Sequence, residues 1–370
     1  GENQVSRFGM NHRAHWRATE ITELIYLLSC MNHPIIIHYS LFILKYSLML
    51  NGSGVWFDMR MMKPFRWNIR KQEQLGRLIK GERESVYLQF LDDLRSCASR
   101  LISFSEDGVI CFVGRSPESI FDYLSGIFEY TVKKDDLVHL NISNRCESVQ
   151  RLKKQKPHTY NALKDHFLEC SISPREVLQR KKKTFFTDVV CHGGTFNQII
   201  AFLFDWAEDE RLCIRDLRLK TGLLGITIRE HTSPKTWRWQ QRCPWVSAYQ
   251  VRNIRNVSVP GRFWRYLGNN QEKVTGSNPP YKWGEQECLL PPRAEYHLKA
   301  LRLALDLYNL GLEQKKEFSK LLCQETATRE DWFRRLILEL RSVTSRNCVS
   351  ELYHGSLLPH RQRTPNRWSL

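Results

Sequence analysis

The chain has 370 residues, 42% of them apolar, which is enough for one large domain or two ordinary ones and too apolar for wholesale disorder. Its net charge of +17 favours polyanionic partners: nucleic acid, phosphorylated metabolites or an anionic membrane face. Eleven scattered cysteines without a C-x-x-C pair argue for reduced thiols in a cytoplasmic protein, against a disulfide framework or a zinc site.

Residues 1–65 differ in composition from the rest and read as an N-terminal extension. The start at Gly1 is that of a fragment or a processed product. Within this stretch Ile35–Leu50, "IIIHYSLFILKYSLML", is shorter than the roughly 20 residues of a spanning helix and carries His38 and Lys45. It is expected to be a buried helix or part of the extension, not a membrane anchor, and no signal-peptide pattern is convincing. From Lys71 to Ser105 the pattern turns helical, with Val86, Phe90, Leu94, Cys97 and Leu101 at three- and four-residue steps. Asp107-Gly108 is a turn.

"VICFVG", Val109 to Gly114, is a buried strand. Ser116 with Pro117 behind it reads as the N-cap and first position of a helix over "ESIFDYLSGIF". Leu137–Ile142 is a second strand, and Ser143–Pro157 a long polar, basic loop. Ser173-Pro174 starts a short helix to Gln179. Thr184–Val190 is a third strand and Phe196–Glu208 a third helix. This alternation predicts an α/β domain with a mostly parallel sheet. Ligands of such sheets bind at the carboxyl ends of the strands, where the loops 114–118 and 188–195 both lie. Beyond Glu210, "LCIRDLRLKTGLLGITIRE" suggests one or two more strands. Trp237–Trp283 is rich in Trp and Arg. Ala294–Leu312 and Asp331–Val343 are helices, and "PHRQRTPNRWSL" is a basic tail. The expected organisation is an extension over 1–65, an α/β domain over 66–290 with a Trp/Arg-rich insertion, and a helical region over 291–370.

The chemistry concentrates in "KKKTFFTDVVCHGGTFNQII", Lys181 to Ile200. Gly193-Gly194 between a strand and a helix lets the backbone approach a ligand, with free N–H groups and the helix dipole turned to an anion. Thr195 adds a hydroxyl, and Asp188 at the strand end can hold hydroxyls or a metal-bound water. Such a set suits a phosphorylated sugar. The plainer reading is a tight strand-to-helix turn beside a solvated acid. Cys191 and His192, adjacent on a strand end, point opposite ways and do not read as a nucleophile–base dyad. His231, His297 and His354 are isolated, without metal-ligand spacing.

The stretch resembles the ribose-phosphate loop of type I phosphoribosyltransferases: an apolar strand, two acids, an apolar residue, two variable positions, then T-G-G-T. Phe185 and Phe186 supply the strand, Asp188 the second acid and Val189 the apolar residue, while Gly193, Gly194 and Thr195 close the motif in register. Thr187 stands in place of the first acid and His192 in place of the first Thr. The order of elements, over roughly Val109–Glu208, is similar as well. The resemblance implies that "FVGRSPES" is a pyrophosphate loop with Gly114, Arg115 and Ser116 as ligands. It makes 143–157, with Arg145, Lys153 and Lys154, a flexible loop, and Cys191–Thr195 the 5′-phosphate site. It further implies phosphoribosyl pyrophosphate as substrate, Mg²⁺ carried by its pyrophosphate, and transfer to a base-like acceptor, with Asp188 and Arg115 catalytic. The Trp/Arg segment then packs a small subdomain over the sheet edge, or forms a hood whose Trp237 and Trp239 stack on the acceptor. The alternatives are a nucleic-acid-binding protein, stacking bases on Trp237 and Trp239, and a catalytically silent phosphoribosyl pyrophosphate sensor. No RRM, KH, zinc-finger or helix-turn-helix pattern accompanies the nucleic-acid reading.

Overall fold

A computed structural model of the chain describes residues 65–142, 148–229, 239–277 and 290–354, with 343–354 described by backbone alone. The extension with Ile35–Leu50, Arg145, Trp237, His231 and the basic tail all lie outside the described residues. Among the described residues no helix is long and apolar enough to cross a membrane.

Five strands form one all-parallel sheet of order β2-β1-β3-β4-β5. They are β1 Val109–Val113, β2 Leu137–Leu140, β3 Thr184–Val189, β4 Thr221–Ile228 and β5 Ile254–Val259. The protein is therefore α/β with a parallel sheet, as the alternation of elements predicts. Strand β1 is an unbroken apolar run and β3 is buried along nearly its whole length, Thr184, Thr187 and Asp188 included, because both faces of the sheet are covered.

On one face pack α1 (Phe90–Phe104) and α2 (Glu118–Phe128). Further along the chain, α8 (Gly261–Arg265), α9 (Glu295–Glu313), α10 (Lys315–Leu322) and α11 (Asp331–His354) join the same face. Their apolar residues share one core with Ile110, Phe112 and Phe185. The region 291–340 thus belongs to the core of the α/β domain. On the other face pack α3 (Val149–Gln155), α4 (Pro157–Glu169), α5 (Pro174–Gln179), α6 (Gly194–Asp209) and α7 (Ile214–Lys220). Cys111, Phe186 and Leu223 fill the core beneath them.

Four local expectations are corrected. The helical pattern from Lys71 gives short 3₁₀ turns over 72–79, and the helix proper starts at Phe90. The long basic loop 143–157 contains α3, whose N-terminus is capped by the Ser148 side chain accepting from Arg151 N–H. Of the one or two strands expected over 210–229, one forms, β4, and the residues before it give the unexpected helix α7. The Trp/Arg-rich region is no mere insertion, since it supplies the edge strand β5. The cap of α5 is as expected: Ser173 Oγ accepts from Glu176 N–H, and the Glu176 carboxylate accepts from Ser173 N–H in return.

Helices α2 and α9 cross with backbone against backbone. A Cβ on Gly126 would lie 2.0 Å from the Tyr308 carbonyl oxygen, and one on Gly311 would lie 2.3 Å from that of Tyr123. This crossing seats α2, and with it the loop that leaves β1, against the sheet.

Candidate functional site

In the order β2-β1-β3-β4-β5 the chain runs outward from β1 to β2, then crosses back to β3 on the other side. The loops after β1 and β3 therefore diverge from neighbouring strands, the position where open α/β sheets form their ligand crevice. Strands β1 and β3 pair from Val109↔Thr184 to Phe112↔Thr187. Loops 114–118 and 188–195 consequently meet at one end of the sheet, as expected.

Asp188 is 7% exposed, at the penultimate position of β3. Its carboxylate accepts Val189 N–H at 2.7 Å and the Thr195 hydroxyl from the first turn of α6. Burial pushes its carboxyl up to about 7, while the Thr195 hydroxyl, the Val189 N–H and the positive charge of Lys273 oppose the rise. The acid is thus buried, not solvated, and divided between its two forms near neutral pH. Thr195, expected to face the ligand, is engaged with Asp188.

Gly193 caps α6 in the left-handed region at φ 75°, and Asn197 N–H closes the first helical bond on its carbonyl at 2.9 Å. The amides of Gly194, Thr195 and Phe196 precede that bond and, by helix geometry, have no acceptor within α6. Gly194 is exposed, as are Cys191 and His192, whose Sγ and Nε2 lie 4.0 Å apart, at the outer limit for a sulfur contact. Thr187 is fully buried, and its hydroxyl donates to the Leu224 carbonyl at 2.9 Å. In this fold the place of the missing first acid is a core position.

In the other loop Gly114 is left-handed at φ 72°, and a Cβ there would lie 2.9 Å from the Ile142 carbonyl oxygen. Its N–H donates to Leu140 O at 2.8 Å, and its own carbonyl meets His139 Nε2 at 2.9 Å. That amide is committed to β2 and is not a free ligand donor, which corrects its expected role. Burial first, then the charge of Arg66, holds the His139 imidazole well below its ordinary range, so it stays neutral. Ser116 does not cap α2: Pro117 occupies the cap position, with no side-chain cap bond. Ser116 and Arg115 are half-buried beside the start of α2. Asn141, next to Gly114 at the end of β2, is 3% exposed and neither end of its amide has a hydrogen-bond partner.

Trp239 is not a stacking platform. It is 3% exposed, its Nε1–H donates to Asn256 Oδ1 at 2.8 Å, and its ring lies 5.3 Å from that of Phe196. Asp188, Gly225 and Asn256 stand in register across β3, β4 and β5 and so share a face of the sheet. The indole packs over Gly225, where a side chain would leave too little room. Lys153, expected in a flexible loop, bonds Asp205 and Asp209 at 3.0 and 2.6 Å and ties α3 to α6.

Several residues of the edge have no signal in the sequence. Glu118, the first residue of α2, is 3% exposed; it accepts Val274 N–H at 3.1 Å and the Thr275 hydroxyl. Lys273 sits in the same segment, and burial pushes its ammonium down to about 8 although the carboxylates of Glu118, Glu84 and Asp188 oppose the fall. Arg66 pairs with buried Asp122 at 2.6 Å, and burial pushes that carboxyl up to about 6 in spite of the guanidinium. Among the described residues no group of three or more His, Cys, Asp or Glu is placed to hold a metal.

No family model, curated protein or solved structure matches this chain.

Proposed function

We propose that the crevice between the loops after β1 and β3 binds phosphoribosyl pyrophosphate with Mg²⁺, and that the protein transfers the phosphoribosyl group to a base-like acceptor. The observation that carries this reading is the neighbouring, parallel position of β1 and β3, which brings the loop with Arg115 and Ser116 to the same end of the sheet as Asp188 and the N-terminus of α6. The 5′-phosphate would sit on the amides of Gly194 and Thr195 at the N-terminus of a long helix. The pyrophosphate would lie toward Arg115. Mg²⁺ would arrive on the substrate, held by its phosphate oxygens with at most a carboxylate such as Asp188 and waters completing its shell.

In the reaction, the bond from the anomeric carbon to the pyrophosphate oxygen breaks, and the electron pair leaves with pyrophosphate. The acceptor nitrogen supplies the new pair and releases its proton to water. Positive charge gathers on the ribose ring before the new bond forms. Asp188, in its carboxylate form, would hold the ribose hydroxyls and favour that charge, and Arg115 would stabilise the leaving group.

A second reading has its own support. Thr187 is a core residue with its hydroxyl bonded to β4, so one of the two acids of the resemblance is replaced by packing. A protein that binds phosphoribosyl pyrophosphate without turning it over, a sensor, fits that substitution. Acceptor-dependent release of pyrophosphate, assayed with purine and pyrimidine bases, separates the two. The transferase reading expects release, and the sensor reading expects binding with none.

A further inference from the structure

Segment 271–275 follows β5 and α8 and is laid against the start of α2. The Gln271 side-chain amide donates to Ser119 Oγ, Val274 N–H and the Thr275 hydroxyl donate to Glu118, and Glu272 N–H donates to Glu84 at 3.0 Å. The Lys273 carbonyl meets His297 Nδ1 at 2.6 Å. The backbone around Lys273 is therefore fixed on three sides: by Val274 to the first turn of the helix that follows loop 114–118, by Glu272 to Glu84, and by its own carbonyl to His297 of α9.

The side chain held in this way is unusual. Lys273 is 9% exposed, and its ammonium donates to the Leu267 carbonyl at 2.6 Å and to Gln271 Oε1 at 3.2 Å. Neither acceptor is a carboxylate. Buried Lys133, at the opposite end of the sheet, pairs with Asp107 and Asp136 at 3.3 and 3.2 Å. Its hydrogen-bond acceptors are neutral, so no carboxylate occupies it directly, and the ammonium keeps one more proton to donate. The charges that act on it are Glu118, Glu84, Arg115 and Asp188, so it stands within electrostatic range of both loops of the crevice.

We propose that Lys273 is a ligand-contacting residue of this crevice, whose ammonium, held rigidly by segment 271–275, takes a phosphate oxygen of the bound anion. The inference rests on reading the edge as a phosphate-ligand site. It explains why a segment from beyond the last strand is bonded to the first turn of α2, and it supplies a cation that the resemblance does not.

The test measures the Kd of inorganic pyrophosphate, phosphoribosyl pyrophosphate and ribose 5-phosphate, each with Mg²⁺, for the unaltered protein and Lys273→Met. Expected is a loss of at least tenfold for the two pyrophosphate-bearing probes. An unchanged Kd for both in a folded variant overturns the inference while leaving the proposed function standing. Lys273-dependent binding of inorganic pyrophosphate without any binding of phosphoribosyl pyrophosphate does the reverse. Binding of no probe by the unaltered protein overturns both. Since Lys273→Met can disturb folding, the unaltered protein, labelled with ¹³C at lysine Cε, gives a second reading. Lys273 and Lys315 are both pushed down to about 8 by burial. Saturating pyrophosphate should raise the midpoint of one such resonance and leave the other, because Lys315 is bonded to Glu129 at the far end of α2. Two unmoved midpoints overturn the inference.

Discussion

The Cβ that Gly193 lacks would lie 2.7 Å from Cε3 of Trp239 and 2.8 Å from Sγ of Cys243. The glycine is therefore required twice: for its left-handed backbone and for the indole that closes over it. Gly193→Ala meets both a conformational penalty of about 1–2 kcal/mol and an overpacking cost of about 1–3 kcal/mol. The expected result is a lower Tm together with weaker ligand binding, because the start of α6 moves. An alanine variant with an unchanged Tm would show that the indole does not rest on this turn.

Asp188 predicts a pH dependence. Its folded value is near 7, against 3.8 ordinarily, so between about pH 4 and 7 the folded protein keeps a proton that the unfolded chain releases. The stability it contributes is full below pH 4 and is lost as pH rises through 7. Asp188→Asn removes this loss. Relative to the unaltered protein, the variant should gain stability from pH 4 to 8, by up to about 4 kcal/mol for a shift of about three units. Asp122, also raised, titrates in both proteins and cancels in the difference. Denaturant melts at several pH values measure it, and parallel curves for the two proteins would refute the assignment.

The same substitution separates chemistry from binding. If Asp188 acts on charge that develops only in the transition state, kcat and kcat/KM fall together, by about 10²–10³. The Kd for phosphoribosyl pyrophosphate should change much less, because in the proposed site the 5′-phosphate would rest on the N-terminus of α6 and not on Asp188. Steady-state rates and a binding titration of one variant give both numbers. Normal turnover by Asp188→Asn would remove this residue from the mechanism.

The fold was legible where burial is uniform. β1 lies under both layers of helices and reads as an apolar run after a turn, and β3 was marked by Phe185 and Phe186 ahead of Gly193-Gly194. The cap at Ser173 was legible because its partners are three residues away. α3 was not, since "VQRLKKQ" holds only Val149 and Leu152 to mark a face; the helix depends on Ser148 and on Lys153 reaching Asp205 and Asp209. β5 was hidden because an edge strand is only partly buried, and its alternation is lost among flanking Trp and Arg. Lys273 looks like a surface lysine in "NNQEKVTGS". Its burial comes from bonds of its segment to Glu84, Glu118, Ser119 and His297, all distant in sequence. The same holds for Trp239, whose burial depends on Gly193, Gly225 and Asn256.

The crossing of α2 and α9 gives a prediction away from the crevice. Gly126→Ala sets a methyl group 2.0 Å from a backbone oxygen, which no rotamer change relieves. The helices must separate, at a cost of about 1–3 kcal/mol or more. Because α2 carries Glu118 and Ser119, the anchors of segment 271–275, ligand affinity should fall along with Tm. Calorimetric melting and a pyrophosphate titration check the two effects, and a variant with both unchanged would mean that the helices do not cross at these glycines.

The central claim is that the crevice between β1 and β3 takes phosphoribosyl pyrophosphate, and the thermal midpoint of the full chain in its presence tests it most directly. A ligand that binds only the folded state stabilises it by about 2.7 kcal/mol at 100 times its Kd. The account predicts a midpoint that rises with ligand concentration, rises further with Mg²⁺ present, and rises less for ribose 5-phosphate. A folded sample whose midpoint does not move at millimolar phosphoribosyl pyrophosphate, with and without Mg²⁺, would contradict it.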